Sequence, residues 1–530
     1  QWGDGKDDVI IAYNDPAAIH TYTSSGTYTV KISGQLTGWA FKTSGDQLKL
    51  LTISNWGPLN FGNDTGYFYG AANLTISATD LPNLTGTTTF QDIFRNCAAL
   101  TAVPNIGTWN TSAITNFKTA FMDASTFNSP IGAWNMSSAT TTTQMFESAS
   151  AFNQNLSAWD TSAVTTMNSM FKNASVFNGN IGTWNVSAVT SMSAMFEGSA
   201  VNQSLSTWNT AAVTNMAYMF KNATSFNGNI STWNVSAVTS MLAMFEGSPI
   251  NQSLSLWNTG AVTEMSYMFK NAWAFNGNIT TWDTSKVVSM IEMFNGASYI
   301  NQDLSNWVTS SVTSMNSMFF NAIRFNGNVS TWNVSKVTDM GNLFRNAKVF
   351  NKNLSTWNTS LVTKMSGMFK NADVFNGDIS NFDVSKVTTF DSMFQGAWAF
   401  NQNIGGWNTI AVTNMYNMFN GATNFNANIS GWNTANVINM GGMFYTASSF
   451  NQDLGNWSPI LVTNMLSIFS NSGMTSANYS ATLVGWNTKT LKSSVVFGAG
   501  SIKYLSTATA ARNNLTGTRL WTITDGGLGP

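Results

Sequence analysis

The residues that most often carry catalysis are scarce in this chain. Its 530 residues include one histidine, His20, and one cysteine, Cys97. A serine or cysteine nucleophile needs a neighbouring base, usually histidine, so few nucleophile–base pairs are possible. A single thiol cannot close an internal disulfide or form a metal site by itself, and the sequence lacks the phosphate-binding pattern G-x-x-x-x-G-K-[ST]. We therefore predict no catalytic residue, no cofactor and no enzymatic activity.

Three glutamates recur at one position of a repeated motif. Glu147, Glu197 and Glu246 each follow the phenylalanine of an M-F-E sequence. Glycoside hydrolysis needs two carboxyl groups at a set separation in one cleft. Regular recurrence instead distributes these carboxylates along one face, so we predict a surface stripe rather than an acid–base pair.

Oxygen ligands for Ca²⁺ could come from the N-terminal sequence GDGKDD, which contains Asp4, Asp7 and Asp8. The complete spacing of an EF-hand loop is absent there, and a solvated, flexible terminus is the alternative that we favour. These three carboxylates are the only metal candidates that the sequence offers.

Charge is unusually low, at 9% of the residues with a formal net charge of −1. Typical globular proteins are about 25% charged, so uncharged polar residues must cover most of this surface. No basic patch is visible, which argues against nucleic acid as a partner. No apolar run reaches about 18 residues, so no transmembrane segment is predicted. The chain opens at Gln1 with neither a methionine nor a signal peptide, from which we expect a processed mature form.

Tryptophan marks an internal repeat of 24 or 25 residues, with the consensus F-N-x-x-[IL]-S-x-W-N-x-S-x-V-T-x-M-x-x-M-F-x-x-A. A unit this short cannot bury its own apolar face, so consecutive units must stack and share one core. Phe382 fills the one gap in the series. The tryptophans that we predict to form this structural core ladder are Trp109, Trp134, Trp159, Trp184, Trp208, Trp233, Trp257, Trp282, Trp307, Trp332, Trp357, Trp407, Trp432 and Trp457.

Asparagine forms a second ladder, which we predict to hydrogen-bond the backbone where each coil turns. V-T-x-M alternates as a half-buried strand does, and M-x-x-M-F suits a short helical turn. The predicted fold is a leucine-rich-repeat-like solenoid, with one short parallel β-strand and one short helical turn per 24–25-residue coil. The asparagines of this ladder are Asn128, Asn153, Asn178, Asn202, Asn227, Asn251, Asn276 and Asn301.

The points at which the repeat pattern begins and ends divide the chain into four predicted segments. Residues 1–47 are predicted to form a β-rich N-terminal cap, because TYTVKISGQLTGW alternates like the strands of a hairpin. Residues 48–108 contain degenerate first repeats, and residues 109–469 form the regular solenoid. Residues 470–530 form a C-terminal cap and tail, since the tryptophan spacing breaks after Trp457.

Three separate segments resemble BspA-like leucine-rich-repeat surface proteins. They are the repeat N-x-S-x-V-T-x-M-x-x-M-F-x-x-A, the opening TYTVKISGQLTGW and the tail KYLSTATAARNNLTGTRLWTITDGGL. The resemblance covers nearly the whole chain and implies an exported bacterial surface protein associated with adhesion. Members share no binding residues, so the resemblance assigns none here.

We therefore expect a non-enzymatic extracellular protein of the cell surface, which binds protein or glycan ligands. Two tryptophans outside the ladder, Trp273 and Trp398, are the side chains most suited to stack on such a ligand. The alternative is a structural subunit or stalk of a surface fibre, in which the partner is the chain itself.

A further alternative is ice binding by an outward threonine ladder, because regularly spaced hydroxyl groups on a flat face could order water. Val288 and Ile438 interrupt this ladder. Its clearest members are Thr165, Thr190, Thr214, Thr239 and Thr263.

Overall fold

The computed structural model describes residues 1–12 and 14–530. Its main feature is a stack of repeats, in which one residue of nearly every repeat forms a parallel backbone bridge to the equivalent residue of the next. Each repeat thus contributes a single bridged residue where a short strand was predicted, because the backbone turns immediately afterwards. The bridged residues are Asn116, Thr141, Thr166, Ser191, Asn215, Ser240, Glu264, Ser289, Ser314, Asp339 and Lys364, followed by Thr389, Asn414, Asn439 and Asn464.

Helices and strands are confined, in the described parts of the chain, to its two ends. Every strand pair is parallel: β1 with β3, β2 with β4, and β5, β6 and β7 in one sheet. Neither α-helix is long and apolar enough to cross a membrane. The strands are β1 (Leu36–Thr37), β2 (Thr52–Ile53), β3 (Leu59–Asn60), β4 (Thr75–Ile76), β5 (Asn464–Met465), β6 (Val496–Gly498) and β7 (Thr522–Thr524). The helices are α1 (Ser476–Asn487) and α2 (Thr509–Gly517), with 3₁₀ helices at Pro16–Ala18, Gln47–Lys49, Ile106–Thr108 and Ser506–Ala508.

The predicted helical turn at M-x-x-M-F is wrong. In the repeat that begins near Met192, the N–H of Met195 donates to Met192 O at 3.2 Å, which closes a β-turn. The N–H of Ala194 points the other way and donates to Ala217 O of the next repeat at 2.8 Å. Ala194 has a φ of 54°, as suits the third residue of a type II turn. An α-helix would direct every N–H along its own axis and would break the bonds between repeats.

The ladder tryptophans form a buried column, in which none is more than 4% exposed. From Trp159 to Trp457, successive rings have centroids 5.9–6.4 Å apart and planes within 5° of parallel, with Phe382 continuing the series. A parallel column of ladder phenylalanines runs beside it, at 5.6 Å between Phe269 and Phe294. From Trp159 onwards each ring therefore packs on its equivalents in neighbouring repeats, whereas Trp109 and Trp134 pack on phenylalanines.

Hydrogen bonds of the indole groups also join the repeats. The Nε1–H of Trp332 donates to Leu304 O of the preceding repeat at 2.9 Å, and the same bond recurs along the column. Trp109, the first ladder member, has a buried Nε1 without a partner. The column thus combines apolar burial with a directional bond that fixes each ring in register.

The asparagine ladder lies at the turns and connects neighbouring backbones. The Oδ1 of Asn128 accepts the backbone N–H of Asn153 at 3.0 Å, and Asn153 accepts that of Asn178 at 2.8 Å. The same bond continues through every repeat to Asn451, which accepts the N–H of Thr475 at 2.9 Å. Each asparagine therefore satisfies a backbone donor that the turn leaves free.

The prediction of a β-rich cap over residues 1–47 is wrong for the described part of that segment, whose only strand is β1. Residues before it gather around stacked aromatic rings, with Trp2 and His20 at 4.8 Å and Tyr22 and Tyr28 at 4.0 Å between ring centroids. Val30, in the alternating sequence, is exposed. Alternation alone does not make a strand, because its N–H and C=O groups need a neighbouring backbone.

The segments on either side of the regular repeats contain short strands, and the C-terminal one also contains both α-helices. Residues 48–108 contain buried apolar residues and the parallel pair of β2 with β4, and the spacing of their phenylalanines Phe68 and Phe94 differs from that of the regular repeats. Residues 470–530 contain both α-helices and β6 and β7. Trp486 of α1 is buried and donates its Nε1–H to Leu454 O at 2.8 Å, so the C-terminal cap extends the indole series by one step.

An ion pair between a partly buried arginine and a buried carboxylate group holds this C-terminal cap together. The Arg512 side chain donates to both carboxylate oxygens of Asp525, at 2.8 and 2.9 Å, and Tyr479 donates to Oδ2 at 3.0 Å. Burial would raise the pKa of Asp525, but these hydrogen bonds outweigh it and hold the pKa below its ordinary value. Burial beside the carboxylate raises the pKa of Tyr479, so its hydroxyl keeps the proton that it donates.

Substitutions at one rung of the column should separate ring packing from the indole bond. Trp332→Phe keeps a ring but loses the donor to Leu304, so we expect a loss of about 1–2 kcal/mol in the free energy of unfolding. Trp332→Ala also leaves a cavity and should cost about 3–5 kcal/mol. Urea unfolding followed by circular dichroism measures both, with Leu256→Ala, an exposed site, as the unchanged control. No loss of stability in Trp332→Phe would contradict the role of the indole bond, and equal losses for the two Trp332 variants would contradict the role of ring packing.

Acid should weaken the C-terminal cap through Asp525. Because its folded pKa is lowered, the carboxylate stabilises the fold above the unfolded pKa of about 3.9, and this contribution is lost as pH falls through the folded pKa. Asp525→Asn should cost about 1–3 kcal/mol at pH 7 because it removes the charged hydrogen-bond partner of Arg512 and Tyr479. Thermal unfolding from pH 7 to pH 3 should show a difference in stability between the wild type and the variant that begins to shrink below about pH 4. A constant difference over this range would be the contrary result.

Candidate functional site

Six consecutive repeats each present one large apolar side chain to solvent from the same turn, and we call these six side chains the exposed apolar row. Each lies at one of the two central positions between the buried alanine and the buried phenylalanine (or isoleucine) of A-x-x-F: Trp273, Ile323 and Trp398 at the first, and Tyr299, Val349 and Val374 at the second. Trp273 is 58% exposed and Trp398 is 55% exposed. Other repeats carry mainly small or polar residues there, with Val176 as an isolated exception. The row consists of Trp273, Tyr299, Ile323, Val349, Val374 and Trp398.

The local turn explains why these side chains point outward. Phe275 N–H donates to Ala272 O at 2.9 Å, which closes a β-turn whose ends are both fully buried. Trp273 occupies a central position of this turn, so its side chain must project away from the core. Neighbouring turns are joined by bonds such as Tyr299 N–H to Trp273 O at 3.2 Å. The buried core thus fixes the spacing of the exposed turn residues, although their side chains are not part of the core.

Few charged side chains lie beside the row, and most of them contact another side chain. The Trp273 and Tyr299 rings meet edge to face at 6.2 Å, and the guanidinium carbon of Arg324 lies 4.0 Å from the centroid of Tyr299. Lys348 forms a 2.9 Å ion pair with Asp373. The surface can therefore stack on flat apolar groups and can also donate hydrogen bonds at its centre.

The length of the row follows from the repeat spacing. Five repeat steps separate Trp273 from Trp398, which at the strand spacing of about 4.8 Å gives roughly 24 Å. Contiguous apolar surface of this kind on a polar protein commonly marks a contact with another molecule. Sequence reasoning identified the two tryptophans but missed the four residues between them, which a comparison of non-consensus positions across repeats would have shown.

The candidate catalytic groups do not form a nucleophile–base arrangement. His20 lies in the N-terminal aromatic cluster, with Nε2 2.9 Å from Oδ2 of Asp4. Cys97 is fully buried and donates to Phe68 O at 3.2 Å, and burial raises the pKa of its thiol to about 12. The thiol is therefore neither ionised nor accessible at neutral pH.

The three recurrent glutamates lie on one surface stripe. Glu197 forms a 3.1 Å ion pair with Lys172, and Glu246 forms a 3.0 Å ion pair with Lys221, both across neighbouring repeats. Glu147 accepts a hydrogen bond from a glutamine of its own repeat. Glutamates and lysines alternate along the stripe, so these carboxylates join repeats and are not paired with one another.

The calcium candidates are not gathered around one point. Asp4 faces His20, Asp8 accepts the indole N–H of Trp2 at 2.6 Å, and Asp7 is exposed. Within residues 1–12 and 14–530, no group of three or more histidine, cysteine, aspartate or glutamate side chains has the arrangement of a metal site.

The threonine ladder faces solvent, but its hydroxyl groups already donate their hydrogens to backbone carbonyl groups. Thr165 donates its hydroxyl to Thr140 O at 3.1 Å, and Thr190 donates to Thr165 O at 3.2 Å. The same bond is made by Thr214, Thr239 and Thr263. These hydroxyl groups therefore bond one repeat to the next, and towards water they can act only as hydrogen-bond acceptors.

The repeats also identify the family. No curated protein matches the chain. Six overlapping segments match the family model described as "Mycoplasma protein of unknown function, DUF285", at residues 62–175, 88–203, 154–251, 247–341, 324–410 and 399–504. These matches confirm the predicted tandem repeats. They cover well over half of the sequence, and the chain therefore belongs to this family of repeat proteins.

Proposed function

We propose that this chain is a non-enzymatic recognition protein of the cell surface, which adheres to protein or glycan ligands through the exposed apolar row. In this proposal the repeats form a solenoid of the BspA-like, leucine-rich-repeat type. The observation that carries it is the recurrence of a large exposed apolar side chain in the A-x-x-F turn of six consecutive repeats. A surface serving only solubility would have no reason to concentrate such side chains there.

The energetics support a role in binding. Fully burying one large apolar side chain contributes roughly 1.5–3 kcal/mol, so a ligand covering only part of the row would gain enough for specific association. Tryptophan and tyrosine are the residue types that most often dominate binding energy at interfaces. Here Trp273 and Trp398 mark the two ends, and the repeats beneath hold them at a fixed separation.

We propose that the chain has no enzymatic activity because the side chains that could act in catalysis are either buried or paired with other side chains. His20 contacts Asp4 in the N-terminal segment, Cys97 is buried, and Glu197 is paired with a lysine. General acid–base chemistry needs such groups to converge on a site that a substrate can reach.

A second candidate function, a subunit of a surface fibre, is favoured by the open strand edges. β7 is the last strand of its sheet, and Thr522 and Thr524 are exposed. β1 lies at the other end of the chain and pairs only with β3. A head-to-tail contact between such edges would generate an open filament. Electron microscopy at rising concentration would show filaments if this is correct and dispersed single particles if it is not.

Removal of both end residues of the row tests the primary proposal. The double variant Trp273→Ala/Trp398→Ala should reduce binding to arrayed glycans or to immobilised fibronectin, laminin or collagen by about tenfold or more. The matched control is Leu256→Ala, which removes an apolar side chain that is 75% exposed but lies outside the row. Its binding should stay within about twofold of the wild type. Surface plasmon resonance measures the affinities, and circular dichroism verifies that each variant is folded.

Two results would refute the proposal. One is a folded wild-type chain that binds none of these probes. The other is a ligand whose affinity changes equally in the double variant and in the Leu256→Ala control.

A further inference from the structure

A second surface feature, which we call the glycine notch, lies in the repeats beyond the exposed apolar row. Gly441 and Gly442 occupy two positions at which the preceding repeat has Tyr416 and Asn417. The following repeat has Leu466 at the first of them. No other regular repeat has glycine at both positions. The pair therefore removes two side chains from an otherwise continuous surface and leaves a depression one repeat wide.

The backbone holds the walls of the notch in register. The N–H of Asn417 donates to Gly441 O at 2.9 Å, and the N–H of Gly442 donates to Leu466 O at 2.8 Å. Tyr416 and Leu466 stand on opposite sides of the glycine pair, and both are exposed. Tyr445, from the same repeat as the glycines, is exposed beside them and lines the same groove.

The chemistry of the groove is aromatic and polar but uncharged. Of the described residues that line it, none is charged, although equivalent positions in other repeats carry lysine or glutamate. Asn420 donates its Nδ2–H to Oδ1 of Asn417 at 3.0 Å, which fixes the orientation of both amides. Asn464 is fixed in the same way by a 3.0 Å bond from its Nδ2 to Asn439. Oriented amides beside tyrosine rings can meet both hydroxyl groups and an apolar face.

We infer that the glycine notch is a binding site for one unit of a neutral saccharide. A pyranose ring has an apolar C–H face that packs on a tyrosine ring, and hydroxyl groups that exchange hydrogen bonds with amides and phenols. An acidic sugar would find no cation among the side chains that line the groove. The inference does not depend on the exposed apolar row, since the two surfaces share no residue.

The test measures binding of cellohexaose, laminarihexaose and xylohexaose to the intact chain by calorimetry, with polygalacturonate as the acidic comparison. The wild type should bind at least one neutral oligosaccharide more tightly than the acidic polymer. Tyr416→Ala/Tyr445→Ala should weaken that binding by about tenfold or more, because two stacking contacts are lost. The row variant Trp273→Ala/Trp398→Ala should bind like the wild type, which separates this site from the proposed function.

Filling the notch gives a second, matched comparison. A Cβ added at Gly441 would lie 2.6 Å from Nδ2 of Asn464, so Gly441→Ala should displace that amide and weaken binding at least fivefold. Gly341→Ala occupies the equivalent position in an earlier repeat, where the added Cβ would lie 2.9 Å from Nδ2 of Asn316. This control should leave the affinity unchanged.

Three results would overturn the inference. The first is a folded chain that binds no neutral oligosaccharide at millimolar concentration. The second is binding that both tyrosine substitutions leave intact or that Gly341→Ala weakens as much as Gly441→Ala. The third is a preference for polygalacturonate over the neutral oligosaccharides.

Discussion

Contact between equivalent residues of neighbouring repeats is the interaction on which the rest of the structure depends. A unit of 24 or 25 residues cannot enclose a tryptophan, and each indole is buried only because the repeats before and after it cover both faces. The backbone shows the same dependence. Residues such as Ala194 and Tyr218 adopt left-handed conformations, which cost about 1–2 kcal/mol each for non-glycine residues. The N–H groups at these positions bond the next repeat, and that bond offsets the strain.

This constraint divides each repeat into positions that stacking fixes and positions that it leaves free. The tryptophan, asparagine and threonine ladders all bond a neighbouring repeat, so their regularity reflects structure rather than ligand recognition. Variation is concentrated at the centres of turns, where side chains project outward. Both surfaces for which we propose binding lie at such positions. A ligand site on this chain is therefore expected where the repeat departs from its consensus.

Much of this architecture could be predicted from the sequence, because the period of the apolar residues directly encodes which side chains must be shared between repeats. The local backbone conformation could not be predicted in this way. M-x-x-M-F fits a helical period, but bonds between repeats compete for its N–H groups and favour successive β-turns. TYTVKIS alternates like a strand, but among the described residues its backbone pairs with another backbone only at Lys31, which exchanges hydrogen bonds with Gln1, and a single pair does not make a strand. Trp273 and Trp398 stood out as residues outside the ladder, whereas the glycine notch depends on three adjacent repeats together, which no single motif reveals.

The most direct test of the stacking account is hydrogen–deuterium exchange of the intact chain, followed by mass spectrometry. If neighbouring repeats bond one another as described, peptides throughout residues 109–469 should exchange slowly, including turn segments that contain no helix or strand. Their protection should be similar from repeat to repeat and should decline towards the ends. Rapid exchange of the turn segments would show that the repeats are separate units and would contradict the account.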